Sequence, residues 1–89
     1  MPESFPRQSE QVAARTIEGA AYLVDPRTST FFELNPVATR IWELCDGTHS
    51  VGDIAAELTK EFEVDTDTAM RDVRSTMDEF TRIGLVCFD

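Results

Sequence analysis

Residues 30–47 read TFFELNPVATRIWELCDG, and this stretch contains a complete transition from strand to helix. Its first residues are rich in aromatic and β-branched side chains, which favour a strand. Asn35 can cap the free N–H groups of a first helical turn, and Pro36 suits the first helical position because no donor is needed there. Apolar residues then recur at helical spacing until Asp46-Gly47, where we expect the helix to stop. The stretch therefore predicts a strand at 30–34 followed directly by an amphipathic helix.

Two more strands are predicted before this stretch. The segment is rich in β-branched and aromatic residues and is interrupted by turn residues at Glu18-Gly19 and at 25–28. Strands are therefore expected at 12–17 and 20–24, forming a meander with 30–34. In a meander the last strand lies at the edge of the sheet and keeps one row of unpaired backbone N–H and C=O groups.

The predicted edge strand should divide its side chains between two faces. Successive side chains of a strand alternate, so Thr30, Phe32 and Leu34 are expected on one face and Phe31 and Glu33 on the other. At least one large aromatic side chain should therefore face away from the main core.

Two further helices follow. Ser50 and Asp53 are spaced as a variant of the capping box, and apolar residues then repeat at helical spacing. Asp65 is a suitable N-cap for a third helix, which we expect to end at Gly84. After that glycine, Leu85 or Val86 is expected to fold back onto the last turn.

These elements predict one α+β domain of the winged helix-turn-helix-like kind, with an N-terminal three-stranded antiparallel sheet followed by three helices. We expect the domain to cover residues 12–89. Residues 1–11 contain two prolines and two serines and no apolar stretch, so they are expected to form a flexible arm.

The composition excludes several classes of function. The chain has 89 residues and 42% hydrophobic content, which allows one modest core. Seventeen acidic and eight basic residues give a net charge of -9, which repels nucleic acid and anionic membranes.

The two cysteines, Cys45 and Cys87, have neither disulfide-framework nor zinc-ligand spacing. No apolar run reaches the roughly 20 residues of a membrane span, so a cytoplasmic protein is expected. The lone His49 has no nucleophile pattern nearby, and we predict no catalytic residue, metal or cofactor.

An ordered series of short motifs extends from about Tyr22 to Val86. The motifs are Asp25-Pro26, Phe32-Glu33-Leu34-Asn35, Ala38, Ile41-Trp42-Glu43-Leu44, Asp46-Gly47, Ile54-Ala55, Phe62, Val64-Asp65, Asp72-Val73 and Gly84-Leu85-Val86. This series resembles the PqqD family. The resemblance implies a stand-alone precursor-peptide recognition element, to which a leader peptide adds as an extra strand beside the third strand and against the third helix.

The pathway stays open at the level of sequence. Residues 25–33 read DPRTSTFFE, which departs from the chaperone of pyrroloquinoline quinone assembly that gives the family its name. The chain is equally similar to the wider PqqD-like group, which includes partners of radical SAM enzymes, of peptidases in lasso-peptide maturation and of other tailoring enzymes.

The resemblance and the open edge together suggest a peptide-binding site. The third strand would supply backbone pairing, and one flank of the third helix would supply adaptable Met side chains and an Arg that pairs with an acidic leader residue. The predicted peptide-binding residues are Thr30, Phe31, Phe32, Glu33, Met70, Arg74, Met77 and Thr81. Aromatic and Met residues at these spacings are also typical of a core, so which of them contact the peptide stays open.

We therefore expect a non-catalytic protein that binds the leader of a ribosomally synthesised precursor peptide and presents it to a modifying enzyme. A winged-helix transcriptional regulator is the first alternative, although three arginines face four acidic residues between residues 67 and 82, and a DNA-reading helix should be cationic. A structural subunit of a biosynthetic complex is the second alternative. A homodimer that pairs the open edges also stays open.

Overall fold

The computed structural model describes residues 5–88, in which an antiparallel sheet of three strands precedes three helices. This order confirms the predicted α+β class. No helix within 5–88 is long and apolar enough to cross a membrane. The elements in chain order are β1 Pro6–Gln8, β2 Ala13–Ile17, β3 Ala20–Asp25, β4 Thr30–Leu34, α1 Pro36–Glu43, α2 Val51–Glu61, α3 Thr66–Arg82 and β5 Val86–Phe88.

The main sheet has the order β2-β3-β4, as expected of a meander. Glu18 and Gly19 connect β2 to β3 with φ values of 50° and 82°. Two positive φ values in a two-residue loop define a type I′ turn, whose twist matches that of the flanking strands. Glycine takes the second position at no steric cost.

Each helix begins at the residue that its capping chemistry predicts. The side chains of Asn35 and Asp65 accept hydrogen bonds from the backbone N–H three residues later, at 2.8 Å and 2.7 Å. Ser50 and Asp53 form a reciprocal capping box, with both hydrogen bonds at 3.1 Å. These local contacts satisfy donors that the first helical turns would otherwise leave unpaired.

The end of α3 is a Schellman motif. Gly84 has a φ of 81°, its N–H donates to the carbonyl of Thr81 at 3.2 Å, and the N–H of Leu85 donates to the carbonyl of Phe80 at 2.8 Å. Leu85 is fully buried, which confirms that the chain folds back onto the last turn.

The core lies between the inner face of the main sheet and the three helices. Burial of apolar side chains between these two layers is the main favourable contribution to the folding of this small domain. The fully buried apolar side chains include Ala21 and Leu23 from β3, Ile41 from α1, Ile54 from α2, Val73 from α3, and Leu85.

The structure differs from the sequence-based expectation at the N-terminal arm. Pro6–Gln8 forms β1, which pairs antiparallel with β5 so that Pro6 lies opposite Phe88. Residues 1–4 of the predicted arm lie outside the described residues. Pro and Ser content is a local signal, whereas this strand depends on partners about 80 residues away in the chain.

The same strand also explains why α1 ends at Glu43, before the predicted stop at Asp46-Gly47. The N–H of Gln8 donates to the carbonyl of Cys45 at 2.9 Å, and the N–H of Gly47 donates to the carbonyl of Pro6 at 3.0 Å. These long-range hydrogen bonds flank an isolated antiparallel bridge between Arg7 and Asp46, and together they tie the segment after α1 to β1.

Candidate functional site

The outer edge of β4 has no neighbouring strand within residues 5–88. The strands outside the main sheet, β1 and β5, pair with each other. The prediction that β4 is an edge strand is therefore confirmed, and its backbone groups on that side are open to pairing.

The turn between β2 and β3 reveals which backbone groups of β3 point towards β4. A two-residue type I′ turn is closed by a hydrogen-bonded pair, here Ile17 and Ala20. In an antiparallel sheet the N–H and C=O of one residue point to the same side, and successive residues alternate sides. Ala20 and Tyr22 therefore bond to β2, whereas Ala21 and Leu23 direct their N–H and C=O groups towards β4.

The buried hydroxyl of Thr39 independently indicates that Ala21 directs its N–H group towards β4. The Oγ1 of Thr39 accepts the N–H of Ala21 at 2.9 Å and donates to the carbonyl of Leu34 at 3.1 Å. Ala21 and Leu34 are register partners, so this hydroxyl bridges two groups that face each other across the ladder. On β4, the alternation then directs the N–H and C=O groups of Phe31 and Glu33 to the open edge.

The side chains of β4 alternate as the sequence predicts. Thr30 and Phe32 are half-buried on the inner face, where Phe32 packs against the core, and Leu34 is buried. Phe31 is 79% exposed on the outer face, beside the exposed Glu33. The residues that offer their backbone at the open edge therefore also expose their side chains.

The turn before β4 and the residue after β4 approach opposite ends of one side of α3. At the start of β4, Nη2 of Arg27 donates to the carbonyl of Gly84 at 3.0 Å, beyond the last turn of α3. At the end of β4, Asn35 lines a cavity together with Asp72 and Thr76 in the middle of α3. A groove therefore lies at the end of β4, between the start of α1 and the middle of α3. Its cavity of about 330 Å³ is lined by Asn35, Val37 and Ala38 of the α1 start and by Asp72, Ser75 and Thr76 of α3.

An ion pair lies at the start of β4, the opposite end of the strand from this groove. The carboxylate of Asp25, only 2% exposed, accepts from Nε and Nη2 of Arg27, both at 2.9 Å. The same guanidinium holds Gly84, so the β3–β4 turn is tied to the end of α3. The hydrogen bonds from Arg27 lower the pKa of the Asp25 carboxyl below its usual 3.8, against the opposing effect of desolvation.

The structure brings three of the predicted α3 residues together, but not beside β4. Met70, Arg74 and Met77 line a different cavity, of about 550 Å³, with the start of α2 and with Phe88 of β5. Met77 is 3% exposed and belongs to the core, Met70 packs against it, and Arg74 is exposed. Thr81 is exposed nearer the end of α3.

The two cavities lie on roughly opposite flanks of α3, because each residue turns an α-helix by about 100°. The predicted residues Met70, Arg74 and Met77 lie on one flank, whereas Asp72, Ser75 and Thr76, which line the groove at the end of β4, lie on the other. Helical periodicity locates the buried face of a helix but does not distinguish its two flanks. The tie between Arg27 and the end of α3 supplies that information, and it has no local signal in the sequence.

The open edge is acidic. Neither Glu33 nor Asp72 has an ion-pair partner among residues 5–88. Asp25, the register partner of Thr30, is neutralised by Arg27. These two unpaired carboxylates, Glu33 on the outer face of the sheet and Asp72 in the groove, favour cationic groups in a peptide bound at this edge.

Together, the fold and the site define a winged-helix-like α+β domain with an open sheet edge beside a helical groove. The chain belongs to the PqqD family, since the model of Coenzyme PQQ synthesis protein D (PqqD) matches residues 21–86. It has no significant match among curated proteins.

Two solved structures are similar over nearly the whole chain. The first is TbiB1 in complex with the TbiA(beta) leader peptide, with 28% identity, a TM-score of 0.83, and coverage of 90% of this chain and 93% of that one. The second is a lasso peptide synthetase B1 complexed with the leader peptide, with 25% identity, a TM-score of 0.83, and coverage of 93% and 98%.

Proposed function

We propose that this chain is a non-catalytic cytosolic protein that binds the leader segment of a ribosomally synthesised precursor peptide and presents it to a modifying enzyme. The leader adds to β4 as a fourth strand and lies against α3. The observation that carries the proposal is the open edge of β4 at Phe31 and Glu33. A groove of about 330 Å³ lies at the end of this strand, where Asn35 and α3 line it. Membership of the PqqD family and the leader complexes of the two similar structures support it.

The geometry indicates how binding energy would be divided. A guest strand antiparallel to β4 makes about four backbone hydrogen bonds with Phe31 and Glu33, each worth about 1 kcal/mol net. A dissociation constant of 1 μM corresponds to about 8 kcal/mol, so backbone pairing alone is too weak. Alternate guest side chains point inward beside Phe32, and their burial in the groove supplies the remaining affinity.

The assigned contact residues therefore combine two elements. From β4 they are Thr30, Phe31, Phe32 and Glu33, as the sequence predicts. From α3 they are Asp72, Ser75 and Thr76, which line the groove at the end of β4. Binding along Met70, Arg74 and Met77 is the competing arrangement, because those residues line the cavity on the other flank.

The surroundings of Cys45 and His49 support a binding role rather than catalysis. Burial raises the pKa of the Cys45 thiol to about 12, which keeps it protonated and unreactive. The Nδ1 of His49 lies 3.0 Å from Oδ1 of Asp46 in the loop before α2, where Thr48 also bonds that carboxylate. This cluster closes the turn, and its hydrogen bonds to the carboxylate hold the pKa of Asp46 well below its usual range.

The test is an amide titration of the isotope-labelled chain with peptides selected from a random twelve-residue display library. We expect hydrogen exchange to slow at the amides of Phe31 and Glu33, because these donors become paired. The amide of Phe32, which already bonds to β3, should change little and serves as the internal control. Shifts centred on Met70, Arg74 and Met77, with Phe31 and Glu33 unprotected, would reject strand addition at β4.

A further inference from the structure

The outer face of the main sheet carries two rows of side chains that end at the open edge. Each row contains one β3 residue together with the residues of β2 and β4 that lie opposite it in the register. One row is Ala13, Val24 and Phe31. The other row is Arg15, Tyr22 and Glu33.

Each row ends on β4 in a side chain that has a cross-strand neighbour on β3 but, within residues 5–88, none on the open side of the sheet. Phe31 is 79% exposed, although Val24 lies directly across from it. Glu33 has no ion-pair partner among the described residues, and Tyr22, 42% exposed, separates it from Arg15. The apolar row is thus incomplete on its outer side, and the charged row ends in an unneutralised carboxylate.

A strand added to β4 would extend both rows. Phe31 and Glu33 direct their backbone groups to the edge, so an antiparallel guest forms a hydrogen-bonded pair with each of them. Residues paired in this way place their side chains on the same face, close enough to interact. Two guest residues, separated by one, therefore lie beside Phe31 and Glu33 on the outer face of the sheet.

We propose that the bound leader carries a Lys or Arg opposite Glu33 and a large apolar residue opposite Phe31, read on the outer face rather than in the groove. This inference rests on the proposed function. In an antiparallel guest the cation comes first, and the apolar residue follows two positions later. A cation completes the row Arg15, Tyr22, Glu33 with alternating charge, and an apolar side chain covers the exposed ring of Phe31.

The experiment is a selection of peptides from a random twelve-residue display library, carried out in parallel on three proteins. They are the unchanged chain, Glu33→Lys, and Glu10→Lys, a matched control whose exposed glutamate lies outside every strand. The unchanged chain and Glu10→Lys should both enrich a basic residue two positions before a large apolar one. Glu33→Lys should enrich Asp or Glu at the basic position, because the charge that it faces is reversed.

Affinities of the selected peptides provide the second readout. Changing the basic residue to Glu should weaken binding to the unchanged chain about threefold, as expected for an exposed cross-strand ion pair, and the difference should shrink in high salt. Phe31→Ala should weaken binding more than Ile17→Ala, which truncates an apolar residue 51% exposed on the far strand of the same face.

Two failures are distinguishable. Peptides that bind without protecting the amides of Phe31 and Glu33 would reject the proposed function itself. Peptides that protect both amides, yet show the same residue preferences on all three proteins, would overturn only the reading of charge at Glu33. Because Glu10 and Glu33 are both exposed, we expect the two Lys variants to melt at the same temperature as the unchanged chain. Thermal melts therefore test whether a change in peptide preference could come from unfolding.

Discussion

Replacing Glu33 with proline should remove one donor from the open edge of β4 and leave the ladder between β3 and β4 intact. The N–H of Glu33 points away from β3, and proline is tolerated on an edge strand where the missing donor would face outward. Glu33→Ala is the reference, because it removes the same side chain but keeps the N–H. One backbone hydrogen bond is worth about 1 kcal/mol, so Glu33→Pro should bind a selected peptide about fivefold more weakly than Glu33→Ala in a calorimetric titration.

Two further proline variants test the alternation on which this prediction depends. Thr16 pairs with Ala21, so its N–H points to the open edge of β2, and Thr16→Pro should leave peptide affinity unchanged. Phe32 bonds to Leu23, so Phe32→Pro should break the ladder and lower the melting temperature strongly. If Glu33→Pro is as destabilised as Phe32→Pro, or binds as tightly as Glu33→Ala, the assignment of the edge donors is wrong.

Three other outcomes are expected. Because Arg27 lowers the folded-state pKa of Asp25 below 3.8, the stability from this pair is complete above that pH and is lost as the pH falls through the lower folded-state value. The melting temperature should therefore drop less on acidification in Asp25→Asn than in the unchanged chain, and parallel curves would contradict this account. Iodoacetamide should label Cys87 in the folded protein and Cys45 only after denaturation, as counted by mass spectrometry; two labels under native conditions would show that Cys45 is accessible. Leu23 is fully buried, so Leu23→Ala should lower the free energy of unfolding in urea by roughly 2–5 kcal/mol, and a loss below about 1 kcal/mol would mean that the core relaxes around the site.

The predictable parts of this fold are those set by neighbouring residues. Asn35, Ser50 and Asp65 each cap a helix through contacts within three residues, and their identities alone locate the starts of α1, α2 and α3. The edge position of β4 follows from short connections, which make consecutive strands neighbours. Alternation along β4 then places Phe31 and Glu33 outward.

The parts that the sequence leaves undetermined depend on distant partners. Pro6–Gln8 pairs with the last strand, and nothing in a proline- and serine-rich start indicates that pairing. The choice between the two flanks of α3 is similar. Met70 and Arg74 suggest a binding surface by their chemistry. The approach of Asn35 to Asp72 and Thr76, and of Arg27 to Gly84, involves residues far apart in the sequence.

The pairing of β1 with β5 has a practical consequence for engineering. Pro6 and Phe88 lie opposite each other, so the two ends of the described chain emerge side by side, next to the flank of α3 that faces away from β4. A fluorescent reporter or a tailoring enzyme attached at either end would therefore stay clear of an incoming peptide. A circular permutant that joins these ends through a short glycine linker and opens the chain at the exposed Thr48 should keep the same architecture.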